Sequence, residues 1–531
     1  MTTNTEKLLC PKCGQGGLVN AGQSRGKQRF KHANRTKVAC KWNGTDPISI
    51  AEGFTPGVPA YHIKRMNKIL KHLRKTGGRF VITAAQNATP VWEPFLHTLL
   101  TYCRETKAQL LVIPYRYKNP TSMWTESQQN EDWWDKKLES YLYDQRFHIT
   151  QNVMIMGDIK TQPTASRPLQ GFESMSGAQS AIFGHPKLAL KTVPTPQTTL
   201  PKMIVTTGSV TQKNYTPTKA GKKGAFHHTF GATVLETTKD GTFFMRQLNA
   251  DQNGHVCDLN YFYTPSGREE VQVEALIMGD THVDFADPKA VKATFGPGQM
   301  VDTLKPKVLV WHDVLDFYAA THHHMGRVFT LFAKHHAGRT NIEEEIRRCF
   351  EFVDRYSPAS AKNLFVYSNH SDMLQRWVNR TDPRTDPENA LFWAHTFYAM
   401  AAGTKLTETG TYTIDPFAYW AEQYLNCWDR SKFLKMDESY TIKGIELGQH
   451  GHAGPSGTKG TLHAFTKIGV KSIIGHSHVP GIDEGAYQVG TTSYLKAEYT
   501  QGPTAWMHSH CAIYANGKRS LLIIVDGKWK K

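Results

Sequence analysis

The amino-acid sequence predicts an α/β protein of several domains, with a site assembled at strand ends in its C-terminal half. Three observations lead there. From residue 79 onward, β-like apolar runs alternate with helical segments, as in "RFVITAAQ", "PFLHTLLTYCRETK" and "AQLLVIPYRY". Asp240-Gly241, Asn253-Gly254 and Asn516-Gly517 stand between β-like runs, the turn signals of antiparallel hairpins. Five further β-like runs each end in Asp, Asn or His.

At 531 residues and 39% hydrophobic composition, the chain has material for two or three cores and is not a disordered protein. No apolar run approaches the roughly 18 residues of a membrane span, and the start "MTTNTEKLLCPKCG" has no apolar signal segment. The expectation is an intracellular, cytoplasmic protein without a membrane partner. Eight cysteines, five of them scattered singly, suit a reducing compartment. The pattern divides the chain into residues 1–50, 51–78, 79–265 and 266–531.

Positive charge collects at one end. Residues 1–80 hold 16 Lys or Arg against 3 Asp or Glu, a surplus of 13 within the chain's total of +17. A compact basic region meets a polyanion, and phosphate backbones are the commonest inside cells. Within it, Cys10-x-x-Cys13 followed by His32 and Cys40 reads as a small loop-rich unit folded around one structural zinc. It resembles the zinc ribbons of transposases and other DNA-handling proteins, with "GKQRFKH" as the basic strand. After it, "YHIKRMNKILKHLRKTGG" places Ile63, Met66, Ile69, Leu70 and Leu73 at helical spacing among Lys and Arg, ending at Gly77-Gly78. The expected nucleic-acid contacts are Arg25, Lys27, Arg29 and Lys31 on the strand, and Lys64, Arg65, Lys68 and Lys71 on the helix.

Residues 79–265 read as an α/β and β-hairpin accessory domain. "NVMIMGDI" and "KMIVTTGS" are further strands, and the Pro-, Thr-, Ser- and Gly-rich residues 160–225 read as loop. "MIMGDIKT" echoes the later "LIMGDTHV", but Lys160 stands where the later stretch has His282, so the echo is taken as ordinary strand-end chemistry.

In the C-terminal part, "VEALIMGDTH" ends in Asp280 and His282, "PKVLVWHD" in Asp313, "NLFVYSNH" in Asn369 and His370, "IKGIELGQHGH" in His450, and "KSIIGHSH" in His476 and His478. A lone strand-end histidine is more often a satisfied core or surface residue. Five such ends in one domain point to a site, because the carboxyl ends of strands in an open α/β sheet converge on one edge. Helices lie between them: Thr340 and Glu343 frame a capping box, and "PENALFWAHTFYAMAAG" opens on Pro and closes on Gly.

The order Asp-x-His, Asp, Asn-His, His-Gly-His, Gly-His-x-His resembles the calcineurin-like metallophosphoesterases over about residues 270–531, and in site order the SbcD-like DNA nucleases. The resemblance implies a two-sheet αββα sandwich holding two divalent ions, manganese foremost, with iron or zinc as options. Carried over, Asp280, His282 and His478 bind one ion and Asn369, His450 and His476 the other, Asp313 bridges both, and His370 protonates the leaving group or stabilises the transition state. Three positions depart from the pattern: His312 and Ser368 replace glycines, and Ser371 displaces an acidic residue to Asp372. His452 rivals His450, and His322 to His324 could line a phosphate path.

Two ions about 3.5–4 Å apart can share a hydroxide and neutralise charge developing on a phosphoryl group. With the basic end, this makes the expected activity metal-dependent hydrolysis of DNA, duplex foremost, by a chain able to self-associate. The layout resembles the large early DNA-degrading proteins of tailed phages, which would act in the host cytoplasm. Two alternatives are a phosphodiesterase or phosphatase for small nucleotides, and a nucleic-acid binder without catalysis.

Overall fold

The computed structural model describes residues 58–117, 133–196 and 202–530 apart from 325, 409 and 499, and, of the first 57, short strands between residues 8 and 55. Of the proposed zinc ligands, Cys10, Cys13 and Cys40 lie outside the described residues, as does Arg25; His32 is described only as the end of the strand Lys27–His32. That strand carries Lys27, Arg29 and the exposed Lys31, and pairs with Leu18–Ser24 and Asn43–Gly44.

The basic helix forms as its periodicity predicts. Helix α1 (Ala60–Thr76) buries Met66 and Leu70 and leaves Lys64, Arg65, Lys68 and Lys71 exposed. It stops at Gly77, whose φ of 71° is a left-handed value that glycine adopts without strain.

Among the described residues, the main sheets draw on nine strands before residue 250, with one long helix between them: β1 (Gly78–Gln86), α2 (Glu93–Thr106), β2 (Gln109–Tyr115), β3 (Arg146–His148), β4 (Val153–Met156), β5 (Ser180–Phe183), β6 (Ala189–Val193), β7 (Lys202–Thr206), β8 (Gly231–Thr237) and β9 (Phe243–Asn249). The C-terminal part contributes β10 (Ala275–Ile277), β11 (Val308–Trp311), α3 (Ile342–Tyr356), β12 (Lys362–Phe365), α4 (Asn369–Arg380), β13 (Ser431–Phe433) and β14 (Thr441–Ile442). It ends with β15 (Ile445–Glu446), β16 (Lys471–Ile474), β17 (Gly481–Asp483), β18 (Ala486–Gln488), β19 (His508–Ile513) and β20 (Arg519–Ile524).

These strands build a mixed α/β architecture of three main sheets: four strands in the order β9-β8-β1-β2, six in the order β13-β12-β11-β10-β19-β20, and ten in the order β3-β4-β5-β7-β6-β17-β18-β16-β15-β14. One apolar cluster draws on all three, with Phe80 and Ile113 from the first, Ile277 and Ile523 from the second, and Ile182 and Ile473 from the third. The ten-stranded sheet is therefore packed against both smaller sheets. The outer face of the four-stranded sheet is covered by α2 through Phe95 and Leu99, and that of the six-stranded sheet by α3 through Ile346 and Phe350. No helix among the described residues is long and apolar enough to cross a membrane.

The structure corrects four local expectations. Residues 160–225 are not loop throughout: β5 and β6, too short and too closely flanked by Gly and Pro to register as periodic, lie in the middle of the ten-stranded sheet. Because β6 pairs with β17, that sheet runs across the division expected at residue 265. Helix α3 is capped by Asn341, whose Oδ1 accepts from Glu344 N at 3.0 Å, while the Thr340 hydroxyl is drawn off to Glu388. Asn253-Gly254 does turn the chain, but it leads to the strand Val256–Asp258 of a separate three-stranded sheet.

Candidate metal centre

Each strand-end residue is placed by the strand before it. Asp280 and His282 follow β10, Asp313 follows β11, Asn369 and His370 open α4 just past β12, His450 follows β15, and His476 and His478 follow β16. β10, β11 and β12 pair in parallel, as do β15 and β16, so their carboxyl ends share an edge. Four of these residues hold left-handed backbone: His282 (φ 43°), Asp313 (40°), His476 (74°) and His478 (59°). Such values are costly for residues with a Cβ and cluster where a side chain must be aimed.

The side chains converge. His478 Nε2 lies 3.2 Å from Asp280 Oδ2 and 3.1 Å from His282 Nε2. His450 Nε2 lies 3.0 Å from Asp313 Oδ2, and His282 Nε2 3.9 Å from the same oxygen. The His370 and His282 rings stand 4.7 Å apart, and the His476 and His450 rings 5.3 Å apart. Asp280, His282, Asp313, His450 and His478 are all buried. Gly475 leaves the needed room, since a Cβ there would lie 2.3 Å from Asp280 Oδ1.

Over 467 residues the chain is 32% identical to Protein A1 of Escherichia phage T5, a match that spans 86% of this chain and 83% of that protein. The chain belongs to the Protein A1 family. No family model matches it, and no solved structure matches it.

In this member of the Protein A1 family, the buried cluster has the donor set of a transition-metal site. Asp280 with His282 and His478, and His282 with Asp313 and His370, each offer three ligand atoms within 4.8 Å of one another. Separations near 3.0–3.4 Å are the edges of a coordination polyhedron with bonds of about 2.1 Å. Asp280 Oδ1, Asp313 Oδ1 and Asn369 Oδ1 are buried without a hydrogen bond among the described residues, which is costly unless a cation compensates them. The residues present therefore fit divalent metal.

The electrostatics agree. Burial alone would raise the Asp313 carboxyl, but His450 and His370 beside it hold it well below the usual carboxylate range. Burial would lower His282, but Asp316, Asp313 and Asp280 lift it to about 9. Metal binding must displace that proton.

Asp316 and His312 belong to the site although sequence reasoning assigned them no such role. Asp316 Oδ1 lies 2.9 Å from His282 Nδ1, so it orients that ring, and the Asp316 carbonyl accepts from His370 Nδ1 at 2.7 Å. His312 Nδ1 lies 3.1 Å from His450 Nδ1. Burial pushes His312 down to about 4, which keeps it neutral and able to accept a proton from His450 Nδ1, with His450 Nε2 turned toward Asp313. The position where the resemblance expects glycine thus carries an orienting partner. At the other departure, Ser368 has φ −134°, an extended value open to any residue, and caps α4 through its hydroxyl. Asp372 is engaged by Tyr367 and Arg376, away from the cluster. His452 has no such approach to Asp313; its ring lies 5.6 Å from that of His450.

A cleft of 620 Å³ opens over the cluster, with His282, Asn369, His370, His476 and His478 among its walls. His323, His324, Arg327 and Lys496 line it too, adding cationic and titratable groups.

Proposed function

We propose that the chain is a metal-dependent phosphodiesterase that hydrolyses DNA, with a two-metal site in a metallophosphoesterase-type sandwich formed by the six-stranded sheet, the β14–β18 wing of the ten-stranded sheet and the flanking helices. The observation that carries the reading is the convergence of Asp280, His282, Asp313, His450 and His478 from separate strand ends, with buried oxygens that lack hydrogen-bond partners. Asp280, His282 and His478 would hold one manganese-type ion and Asn369, His450 and His476 a second, with Asp313 shared. Bound there, the pair supplies a hydroxide nucleophile at neutral pH and charge for the phosphoryl oxygens.

The protein's own part is orientation and proton handling. With Nδ1 donating to the Asp316 carbonyl, His370 keeps Nε2 for the substrate, as donor to the leaving oxygen when protonated. The cationic cleft wall steers a phosphodiester in, and the exposed lysines and arginine of α1 extend that attraction along a polyanion. Cys10, Cys13, His32 and Cys40 would hold a structural zinc beside them. Relationship to a phage protein agrees with action on DNA in an infected cell.

The test is cleavage of end-labelled linear and covalently closed duplex DNA with manganese and with chelator, beside Asp313→Asn. Manganese-dependent loss of DNA that vanishes in the variant supports the proposal, and attack on the closed circle defines an endonuclease. Manganese bound with neither DNA cut, but a nitrophenyl diester hydrolysed, moves the substrate to small phosphoesters; no hydrolysis at all leaves a nucleic-acid binder.

A further inference from the structure

The ten-stranded sheet is symmetric about its middle. Outward from the β6·β17 pair, one wing runs β7, β5, β4, β3 and the other β18, β16, β15, β14. The pairings match step for step: antiparallel β6·β7 and β17·β18, parallel β5·β7 and β16·β18, parallel β4·β5 and β15·β16, antiparallel β3·β4 and β14·β15. The smaller sheets match too, β9-β8-β1-β2 repeating β20-β19-β10-β11 in order and sense.

The repeat extends to single hydrogen bonds. Val210 N donates to the Ala84 carbonyl at 2.8 Å, and Thr492 N to the Asp280 carbonyl at 2.8 Å. The Ser209 hydroxyl donates to the Ala84 carbonyl, and the Thr491 hydroxyl to that of Asp280. Thr207 N donates to the Phe183 carbonyl as Val489 N does to that of Ile474. Ala84 thus stands in the place of Asp280, and Ile182-Phe-Gly-His-Pro-Lys187 aligns with Ile473-Ile-Gly-His-Ser-His478. In the central pair, the counterparts Leu190 and Ile482 face each other, while Ala189 faces Asp483 and Lys191 faces Gly481. That reciprocity is the signature of a two-fold, isologous interface.

We infer that residues 78–249 are a second copy of the sandwich at 275–524, the silent half of a dimer on one chain, and that this copy positions the Gly475–Pro480 loop of the other half through Lys187. The silent site is filled. His185, in the place of His476, accepts from Lys187 N at 3.0 Å and donates to the Gln162 carbonyl at 3.0 Å. Ala84 and Ile113 pack on Gly184, where Asp280 and His312 approach Gly475. Lys187, in the place of His478, reaches across the two-fold instead. Its Nζ lies 2.7 Å from Glu484 Oε1, with both side chains largely buried, and Lys223 and His227 of the same half approach that carboxylate at 3.6 and 3.5 Å. Glu484 sits in the β17–β18 turn, six residues past His478, and β6 holds β17 directly after the loop. The value of this clamp for the site rests on the metal centre proposed above.

The test is hydrogen exchange of the full-length, metal-free chain, followed by manganese titration, for Lys187→Met, Lys187→Arg, Glu484→Gln and the Met/Gln double variant. Lys187→Met, which also gives up the Nζ bond to the Ser166 carbonyl within its own half, is expected to speed exchange selectively at residues 475–484, on the order of tenfold for the lost charge-assisted bond to Glu484. Lys187→Arg should restore protection, and the double variant should exchange no faster than either single one. In parallel, Lys187→Met should weaken manganese binding several-fold. Unchanged exchange at 475–484, or a uniform increase over the whole chain, overturns the positioning role. A selective exchange response in a chain that takes up no manganese upholds the clamp and removes the metal reading instead.

Discussion

Where the C-terminal sandwich carries Asp280, His282, His312 and His478, the N-terminal one carries Ala84, Gln86, Ile113 and Lys187 on equivalent strand ends. The backbones differ in step. His282, Asp313, His476 and His478 are left-handed, whereas Gln86, His185 and Lys187 have negative φ. The same strand order therefore supports either a relaxed edge whose polar groups are hydrogen-bonded within the protein or a strained one rich in Asp and His. At these strand ends, among the described residues, left-handed backbone and buried carboxylate oxygens without a hydrogen bond occur together in the C-terminal half alone, which is what a ligand-holding site requires and a packing site has no use for.

That contrast can be broken most sharply at the paired histidines. His476→Ala should lower manganese-dependent cleavage roughly a hundredfold or more, as loss of one charge-stabilising group does. His185→Ala should leave cleavage within about twofold while lowering stability by about 1–3 kcal/mol, read by denaturant unfolding, because it strips partners from buried groups. Equal loss of activity in both would end the distinction between the halves.

The next largest effect is expected at the pair Ile113 and His312. His312→Ala should weaken manganese binding by about 10–100-fold in calorimetry, since it frees His450 to turn. Ile113→Ala should leave manganese affinity unchanged and cost about 2–4 kcal/mol through the cavity it opens.

The pH dependence sharpens the same point. In the metal-free chain His282 titrates at about 9, so a metal ion competes with its proton below that value. Apparent manganese affinity should rise by up to about tenfold per pH unit between pH 7 and 8.5, with proton release visible in buffers of different ionisation enthalpy, and level off above about 9. The smallest effect concerns neither site: replacing Lys64, Arg65, Lys68 and Lys71 by Ala should flatten the salt dependence of DNA binding by up to about 4 in log–log slope, with hydrolysis of a small diester unchanged.

Much of the C-terminal half was legible because its signals are local. A β-like run ending in Asp or His can be read without knowing its neighbours, and the basic face of α1 follows from a 3.6-residue period. Its N-terminal counterpart was less so. β5 is four residues long and fully buried, so it carries no periodicity, and β6, although its burial alternates, is only five residues long, too short a run to stand out. The signal that could have exposed the repeat was the likeness of "AIFGHPK" to "SIIGHSH"; the more visible echo of "MIMGDIKT" and "LIMGDTHV" joins β4 to β10, which are not counterparts.

By itself the sequence determined an α/β chain with one strongly basic end, a basic amphipathic helix, and an inventory of Asp, Asn and His at strand ends, because composition and short-range periodicity are properties of neighbouring residues. Only the tertiary structure decided which of those ends meet, that His312 and Asp316 hold the rings in place, and that β6 and β17 join two sandwiches into one sheet. Those outcomes depend on strand register and on contacts between residues up to about 300 positions apart, such as Lys187 and Glu484.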